Sequence, residues 1–551
     1  MPDVNHTDVN HLLSVNNHLL SVTNRVNHSK IFNTALGPFS FPSYNLAMKI
    51  IHSHPYLAYS LLFLLGAGSV LSFAPFYFFP ASIIAITFLC LFWMNATTTR
   101  QAFKYGLVYG LGLYIVGIYW IYISLHDFGQ MPALFAALCT FLLCAFMALF
   151  PALVGALSMR ITTSTGLRLL VAIPILWALS DWVRSWIFTG FPWLTMGYSQ
   201  TPYSPLAGYM PIIGVYGISL LTVLSAGLLA CWYLKKTHLH SIKRRTLFGV
   251  ILTLWIGGAA LQFVDWTYPQ GAPLKVALLQ GNIPQDLKWA PEIAGQTVEQ
   301  YISMAEASDA KLIVMPETAL PLLSSDVPET MISRLKQHAL HNQGDILTGL
   351  VESENGEYFN SMLSIGSGES ASYRKSHLVP FGEFIPLKKV FGWIYRDLLN
   401  MPLSDMSRGS IHQQPMSISG QQVAINICYE DVFGEEIIRQ LPQATLLVNT
   451  SNDAWYGNSY AAEQHMQFSQ ARALETGRMM LRATNTGATA AIDTHGYVFA
   501  HAPHFEQTTL NVIAQGYVGS TPYVRFGNWP FLIFSLVALV LVWRRKPMIK
   551  G

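Results

Sequence analysis

The sequence predicts a polytopic α-helical membrane domain joined to an α/β layered domain, and three observations predict it. Apolar runs close to membrane-spanning length recur eight times along the chain. Charged residues make up only 11% of 551 residues against 13% aromatics, and mean hydropathy is +0.34, a composition suited to a chain solvated by lipid. One long stretch, 265–528, breaks the pattern with short β-type runs alternating with helical periodicity.

The apolar runs are 56–73, 79–94, 105–123, 132–157, 169–188, 211–234, 246–264 and 529–543. Several are short for a hydrocarbon core of ~30 Å. Seven consecutive runs with only short connectors are poorly explained as core helices of a soluble protein. Basic residues cluster at alternate ends. Arg25, Lys30 and Lys49 precede the first run, Arg100 and Lys104 follow the second, and Arg160 and Arg168 follow the fourth. Lys235, Lys236, Lys243, Arg244 and Arg245 follow the sixth, and Arg544, Arg545, Lys546 and Lys550 follow the last. By the positive-inside rule both termini are expected in the cytoplasm and 265–528 on the opposite side. Asp181 and Arg184 place charge in the fifth run, either as a functional group or as an i,i+3 pair supporting the fold.

Residues 1–50 are expected to form a disordered cytoplasmic tail. They are rich in Asn, His and Ser, with a VNH repeat and an HLLSV repeat. Cys90, Cys139, Cys144 and Cys231 sit in apolar runs and read as small buried hydrophobes; only Cys428 lies in a polar region. No disulfide framework is expected, and a net charge of +3 gives no case for nucleic acid.

Within 265–528, strands are expected over 274–279, 311–315, 346–351, 423–428, 445–448 and 489–492. Helices are expected over 296–307, 329–341, 435–441 and 463–480. Three stretches each set a reactive group directly after a strand. Met315-Pro316-Glu317-Thr318 offers a carboxylate that can act as general base. Tyr373-Arg374-Lys375-Ser376 offers an ammonium that can hold an oxyanion or lower a thiol pKa. Asn426-Ile427-Cys428-Tyr429-Glu430 offers a thiol. Each alone is more often a loop carboxylate, a surface charge or inert packing.

Together they resemble the nitrilase superfamily: Pro-Glu-Thr-Ala at 316–319, Lys375 eight residues before the Glu383 of Pro-Phe-Gly-Glu, and Cys-Tyr-Glu at 428–430, in that order. The resemblance implies an α-β-β-α sandwich and a Glu–Lys–Cys triad. Cys428 is then the nucleophile, Glu317 the proton carrier, and Lys375 with the Tyr429 N–H the oxyanion donors. Glu383 is implied as a second glutamate beside them. With seven preceding runs and one following, the chain is similar to the apolipoprotein N-acyltransferase family. Further matching stretches are Gly190-Phe191-Pro192-Trp193, Gly197-Tyr198-Ser199-Gln200, Gln280 to Gln285 with Lys288-Trp289, Ser451 to Gly457, and Arg472-Ala473-Leu474-Glu475.

That likeness implies a bacterial inner-membrane enzyme with a periplasmic catalytic domain at 265–526 between seven helices (51–264) and a last helix with a basic tail (527–551). The acyl donor is expected to be a phospholipid, the acceptor a diacylglyceryl-apolipoprotein, and the chain a monomer needing no metal or cofactor. Trp289 is expected near a substrate entrance, Tyr429 and Glu430 beside the nucleophile, and Asn452 and Trp455 on the cavity wall. The aromatic segment 390–406 is expected to form a mobile arm at the bilayer interface. Two other readings fit parts of the sequence. A membrane-anchored amidase would need only one span, and a transporter with a degenerate domain would lack a triad member.

Overall fold

A computed structural model of the chain describes residues 54–238, 244–366, 368, 370–386 and 405–544. The N-terminal tail and nearly all of the 390–406 arm lie outside the described residues. The chain divides into two compact units, Met1–Ser60 and Leu61–Gly551. Of the first only the opening residues of a helix are described; the second holds the rest of that helix and everything else discussed below.

Every predicted apolar run forms a helix: α1 (Pro55–Ser69), α2 (Pro80–Asn95), α3 (Thr99–Gly117), α4 (Ala133–Ile161), α5 (Ile173–Arg184), α6 (Met210–His238), α7 (Arg244–Leu261), and a C-terminal helix Trp529–Arg544. Four described helical segments are long and apolar enough to cross a membrane, and a bent pair beginning with α3 makes a fifth. Residues 80–95, 245–261 and 529–544 are apolar but shorter. Sixteen residues such as α2 rise only about 24 Å, less than a full hydrocarbon core.

Small residues let α3 and α4 approach closely. A Cβ on Gly106 would come within 2.3 Å of the Pro151 carbonyl oxygen, and one on Gly110 within 2.7 Å of Ala148 Cα. The third run is not one straight span as the sequence suggested. It breaks after Gly117 and bends by 51° into Trp120–Phe128. The break is satisfied from the α/β domain, because Gln464 Nε2 donates to the Gly117 carbonyl at 3.0 Å and accepts through Oε1 from Trp120 Nε1 at 3.1 Å. Composition alone cannot reveal a partner more than 300 residues away.

From Thr267 onward the chain builds two six-stranded sheets. One has the order β12-β1-β2-β3-β4-β5 and the other β11-β10-β9-β8-β7-β6. Their strands are β1 (Thr267–Gln280), β2 (Leu312–Val314), β3 (Asp345–Glu354), β4 (Glu357–Gly366), β5 (Ser372–Arg374), β6 (Met416–Ile418), β7 (Gln421–Ile427), β8 (Leu446–Ser451), β9 (Met480–Thr484), β10 (Ala490–Ile492), β11 (Val498–His501) and β12 (Thr508–Gly519). The central strands β1–β3 and β7–β9 run parallel, and antiparallel strands extend the edges. Helices α8 (Pro291–Glu306) and α9 (Glu329–His341) pack on the first sheet, burying Val298, Ile302, Leu335 and Ala339 against Ala277, Ile313 and Ile346. Helix α10 (Ala461–Thr476) buries Ala462, Met466 and Ala473 against the second, among Ala424, Leu447 and Met480. The result is the predicted α-β-β-α sandwich.

Strands β2, β7, β8 and β9 are buried almost throughout, which is why most of them read as short continuous apolar runs. The helix predicted over 463–480 ran too far. It stops at Thr476, where Gly477 turns left-handed at φ 63°, and β9 follows. A Cβ on Gly477 would also come within 2.7 Å of Thr267 Cγ2. Strands β4, β5, β6, β11 and β12 were missed as well: β5, β6 and β11 are only three or four residues long, and β4 and β12 carry polar residues among their apolar ones.

Candidate active site

The predicted reactive residues gather just beyond strands β2, β5 and β7. Strand β7 ends at Ile427, and Cys428 opens a tight turn with φ 53°, a left-handed conformation that costs about 1 kcal/mol or more for a residue with a Cβ. The turn is tied down from several sides. Glu430 accepts from its own Ile427 N–H at 2.7 Å, from the Ser376 N–H at 2.7 Å, from the His377 N–H at 3.1 Å and from the Tyr373 hydroxyl at 3.0 Å. Glu430 therefore joins the thiol turn to the Lys375 loop, and its carboxylate is spent on that bracing. The Cys428 carbonyl accepts from Asn449 Nδ2 at 3.2 Å and lies 3.1 Å from His465 Nε2.

Glu317 and Lys375 converge from β2 and β5. Lys375 Nζ donates to Glu317 Oε1 at 3.3 Å and to Glu383 Oε1 at 2.8 Å. Asn360, on β4, donates to both carboxylates, at 2.7 Å to Glu317 and 2.9 Å to Glu383. The Asn452 N–H donates to Glu317 Oε2 at 3.0 Å, and the Val379 N–H to Glu383 Oε2 at 2.7 Å. Burial opposes the charge on Glu317, yet Lys375, Lys288 and Asn360 together hold its carboxyl below the usual carboxylate range. Burial likewise opposes the charge on Lys375, but Glu317 and Glu383 hold its ammonium well above the ordinary lysine value.

The thiol departs from the expectation of an easily formed thiolate. Burial pushes Cys428 well above its usual value and the negative charge of Glu317 adds to this, outweighing the attraction of Lys375. The resting site is thus a neutral thiol beside a carboxylate and an ammonium, an arrangement suited to proton removal during attack rather than before it.

The remaining predicted residues divide by position. Asn452 is inside, donating through Nδ2 to Gln285 Oε1 at 2.6 Å and accepting from Asn485 Nδ2 at 3.1 Å. Tyr429 sends its hydroxyl to the Gly190 carbonyl at 2.7 Å and stacks on Trp193 at 5.9 Å. Its ring thereby fixes the thiol turn to the loop after α5. Trp455 is 40% exposed; its carbonyl accepts from Ser124 Oγ at 2.7 Å, and its indole meets Phe128 edge to face. Trp289 is 52% exposed, out on the surface while its neighbour Lys288 points inward.

Several functional candidates escaped the sequence reading. Lys288 is buried and donates to the Glu317 carbonyl at 3.1 Å; burial lowers its pKa to about 8 against the pull of Glu317 and Cys428. The signal was present in Leu287-Lys288-Trp289, but the aromatic drew attention from the lysine. Asn360 gave no signal at all. Beneath the thiol turn, Asp431, Asp453, His465 and Arg482 form a fully buried charged cluster, with His465 bridging the two aspartates at 2.9 Å each and Arg482 reaching them at 3.1 and 2.8 Å. The membrane-side pair is mutual: Arg184 Nη2 lies 2.7 Å from Asp181 Oδ1, and Arg184 Nη1 donates to the Trp193 carbonyl at 2.9 Å. Asp181 and Arg184 thus shape the loop that receives Tyr429.

Residues 65–228 match the family model described as the apolipoprotein N-acyltransferase N-terminal domain, and residues 275–523 match that of the carbon-nitrogen hydrolases. An apolipoprotein N-acyltransferase of Nitrosomonas europaea is 52% identical, covering 87% of this chain and 95% of its own. One from Chromobacterium violaceum is 42% identical, covering 88% and 93%. Among solved structures, a CN-hydrolase superfamily protein from Xanthomonas campestris covers 48% of this chain and 97% of its own, at 16% identity and a TM-score of 0.35. The matches to the curated relatives run through both the membrane helices and the layered sheets that carry Glu317, Lys375 and Cys428, and the chain belongs to the apolipoprotein N-acyltransferase family.

Proposed function

We propose that this protein transfers a fatty acyl group from a phospholipid, at the sn-1 ester of phosphatidylethanolamine, to the N-terminal S-diacylglyceryl-cysteine amine of apolipoproteins. The reading rests on one observation above others: a buried neutral thiol, Cys428, shares its pocket with an ionised Glu317 and a doubly paired Lys375. In the first half-reaction Glu317 takes the thiol proton as Cys428 attacks the ester carbonyl. Lys375 and the Tyr429 N–H hold the oxyanion of the tetrahedral intermediate. Its collapse breaks the ester C–O bond, and Glu317 returns the proton to the departing lysophospholipid oxygen, leaving a thioester on Cys428.

In the second half-reaction the lipoprotein amine attacks the thioester while Glu317 takes its proton. The C–S bond breaks, the sulfur recovers the proton, and an amide is released. This ping-pong sequence uses no cofactor. Glu383 and Asn360 hold Lys375 and Glu317 in place, and Trp289 and Trp455, both half-exposed, suit the mouth where lipid chains enter. Water must be kept from the thioester, and the membrane helices serve that end as well as anchoring.

The chain is read as a monomer of the bacterial inner membrane with the catalytic domain, 265–526, in the periplasm. Residues 51–264 supply seven helices and 527–551 the last, and both termini, including the 1–50 tail, are cytoplasmic. Intact-mass analysis after incubation with phospholipid tests the proposal. We expect a hydroxylamine-labile acyl adduct on the wild type and none on Cys428→Ala. Lipoprotein N-acylation by Cys428→Ala would overturn it, and acyl release only to water would favour an amidase-like hydrolase instead.

A further inference from the structure

We propose that Glu463, His501 and His504 form a binding site for a divalent first-row transition-metal ion of the Zn²⁺ class. Glu463 lies in the first turn of α10; His501 ends β11, and His504 follows in the connection to β12. His504 Nε2 is 2.8 Å from Glu463 Oε1, and His501 Nε2 is 3.7 Å from the same oxygen. One ligand atom from each residue lies within 4.8 Å of the others, and the two imidazole rings stand 5.2 Å apart.

The second histidine is what calls for a metal. One carboxylate and one imidazole already make a complete hydrogen-bonded pair. Among the described residues the His501 ring makes no hydrogen bond, yet its Nε2 lies beside the oxygen that His504 occupies. Two imidazole nitrogens and a carboxylate oxygen form a common donor set for Zn²⁺, which leaves a fourth position for water. Donors at ~2.0–2.1 Å from a tetrahedral ion stand about 3.3 Å apart. Closing the longest separation to that value takes side-chain rotation of about 1.5 Å. Partial exposure of both histidine side chains, 29% and 33%, gives an ion a way in.

The nitrilase-like chemistry of Cys428 uses no metal, so this site stands apart from it. An ion here ties the β11–β12 connection to the start of α10. His504 also abuts Gly487, where a Cβ would come within 2.7 Å of its Nδ1. That glycine lies two residues beyond Asn485, which hydrogen-bonds Asn452. The clamp therefore stiffens the wall behind Glu317.

The test compares the full-length wild type, His501→Ala and Glu463→Gln, each stripped with chelator and dialysed against low-micromolar Zn²⁺. Bound metal is then measured by elemental analysis. Histidines of the N-terminal tail contribute equally to all three. The wild type should hold one equivalent more than either variant, and Zn²⁺ should raise its Tm but not theirs. Equal uptake by wild type and His501→Ala overturns the proposal. His501→Ala removes no side-chain hydrogen bond among the described residues, so it alone decides the matter if Glu463→Gln does not fold.

Discussion

His465 places Nε2 3.1 Å from the carbonyl oxygen of Cys428, so the strained turn that presents the thiol is held from beneath by an imidazole. Burial and Arg482 push the His465 pKa down, but Asp431 and Asp453 outweigh them and raise it to about 9. The ring is therefore charged at neutral pH. Two anions and two cations balance in a space closed to water.

The first prediction follows from that raised pKa. Stability contributed by His465 is fully present below its unfolded value of about 6.5 and is lost as pH rises through about 9. Wild-type Tm in detergent should fall between pH 7 and 9.5. His465→Gln should be destabilised by about 3–5 kcal/mol at pH 7, because the two aspartates lose a cation partner, and its Tm should vary less over that range. Parallel curves for the two proteins would show that His465 is not the titrating group.

Acyl transfer should depend steeply on the carboxylate and the ammonium. Glu317→Gln and Lys375→Ala are each expected to lower the rate of acyl-enzyme formation by roughly 10²-fold or more, as for loss of a proton carrier or an oxyanion donor. The measurement is single-turnover kinetics with phospholipid. Near-normal turnover in either variant removes that residue from the chemistry.

Asn360→Leu keeps the side-chain volume and deletes the amide that serves Glu317 and Glu383 together. Without that donor the Glu317 carboxyl should rise toward its ordinary value, since Asn360 is one of the groups holding it down. The acid limb of the kcat/KM profile should move to higher pH, with a rate loss of about 10-fold at neutral pH. An unmoved acid limb would mean that Lys375 and Lys288 suffice.

Lys288, with a pKa of about 8, is a buried cation that titrates close to neutrality, while Lys375 stays charged well beyond it. Wild-type activity should therefore fall on an alkaline limb near pH 8. Lys288→Met should flatten that limb and lower activity throughout, because the positive charge that steadies Glu317 is gone at every pH. An alkaline limb retained unchanged in the variant would assign it to another group.

The sequence by itself determined much of this protein. The eight helices were legible because lipid demands long uncharged runs, and the central parallel strands other than β9 because burial on both faces demands continuous apolar residues; β9, with Arg482 inside it, was not read as a strand. Glu317, Lys375 and Cys428 were legible because each follows a strand in a motif of fixed order. What the tertiary structure decided is everything that depends on groups meeting across distance. The break after Gly117 needs Gln464, the role of Glu430 needs the Ser376 and His377 amides, and the raised Cys428 pKa needs a buried pocket shared with Glu317. Asn360 and His465 carry no local mark, because a polar side chain in a strand or helix shows its purpose only when folding removes water and supplies its partner.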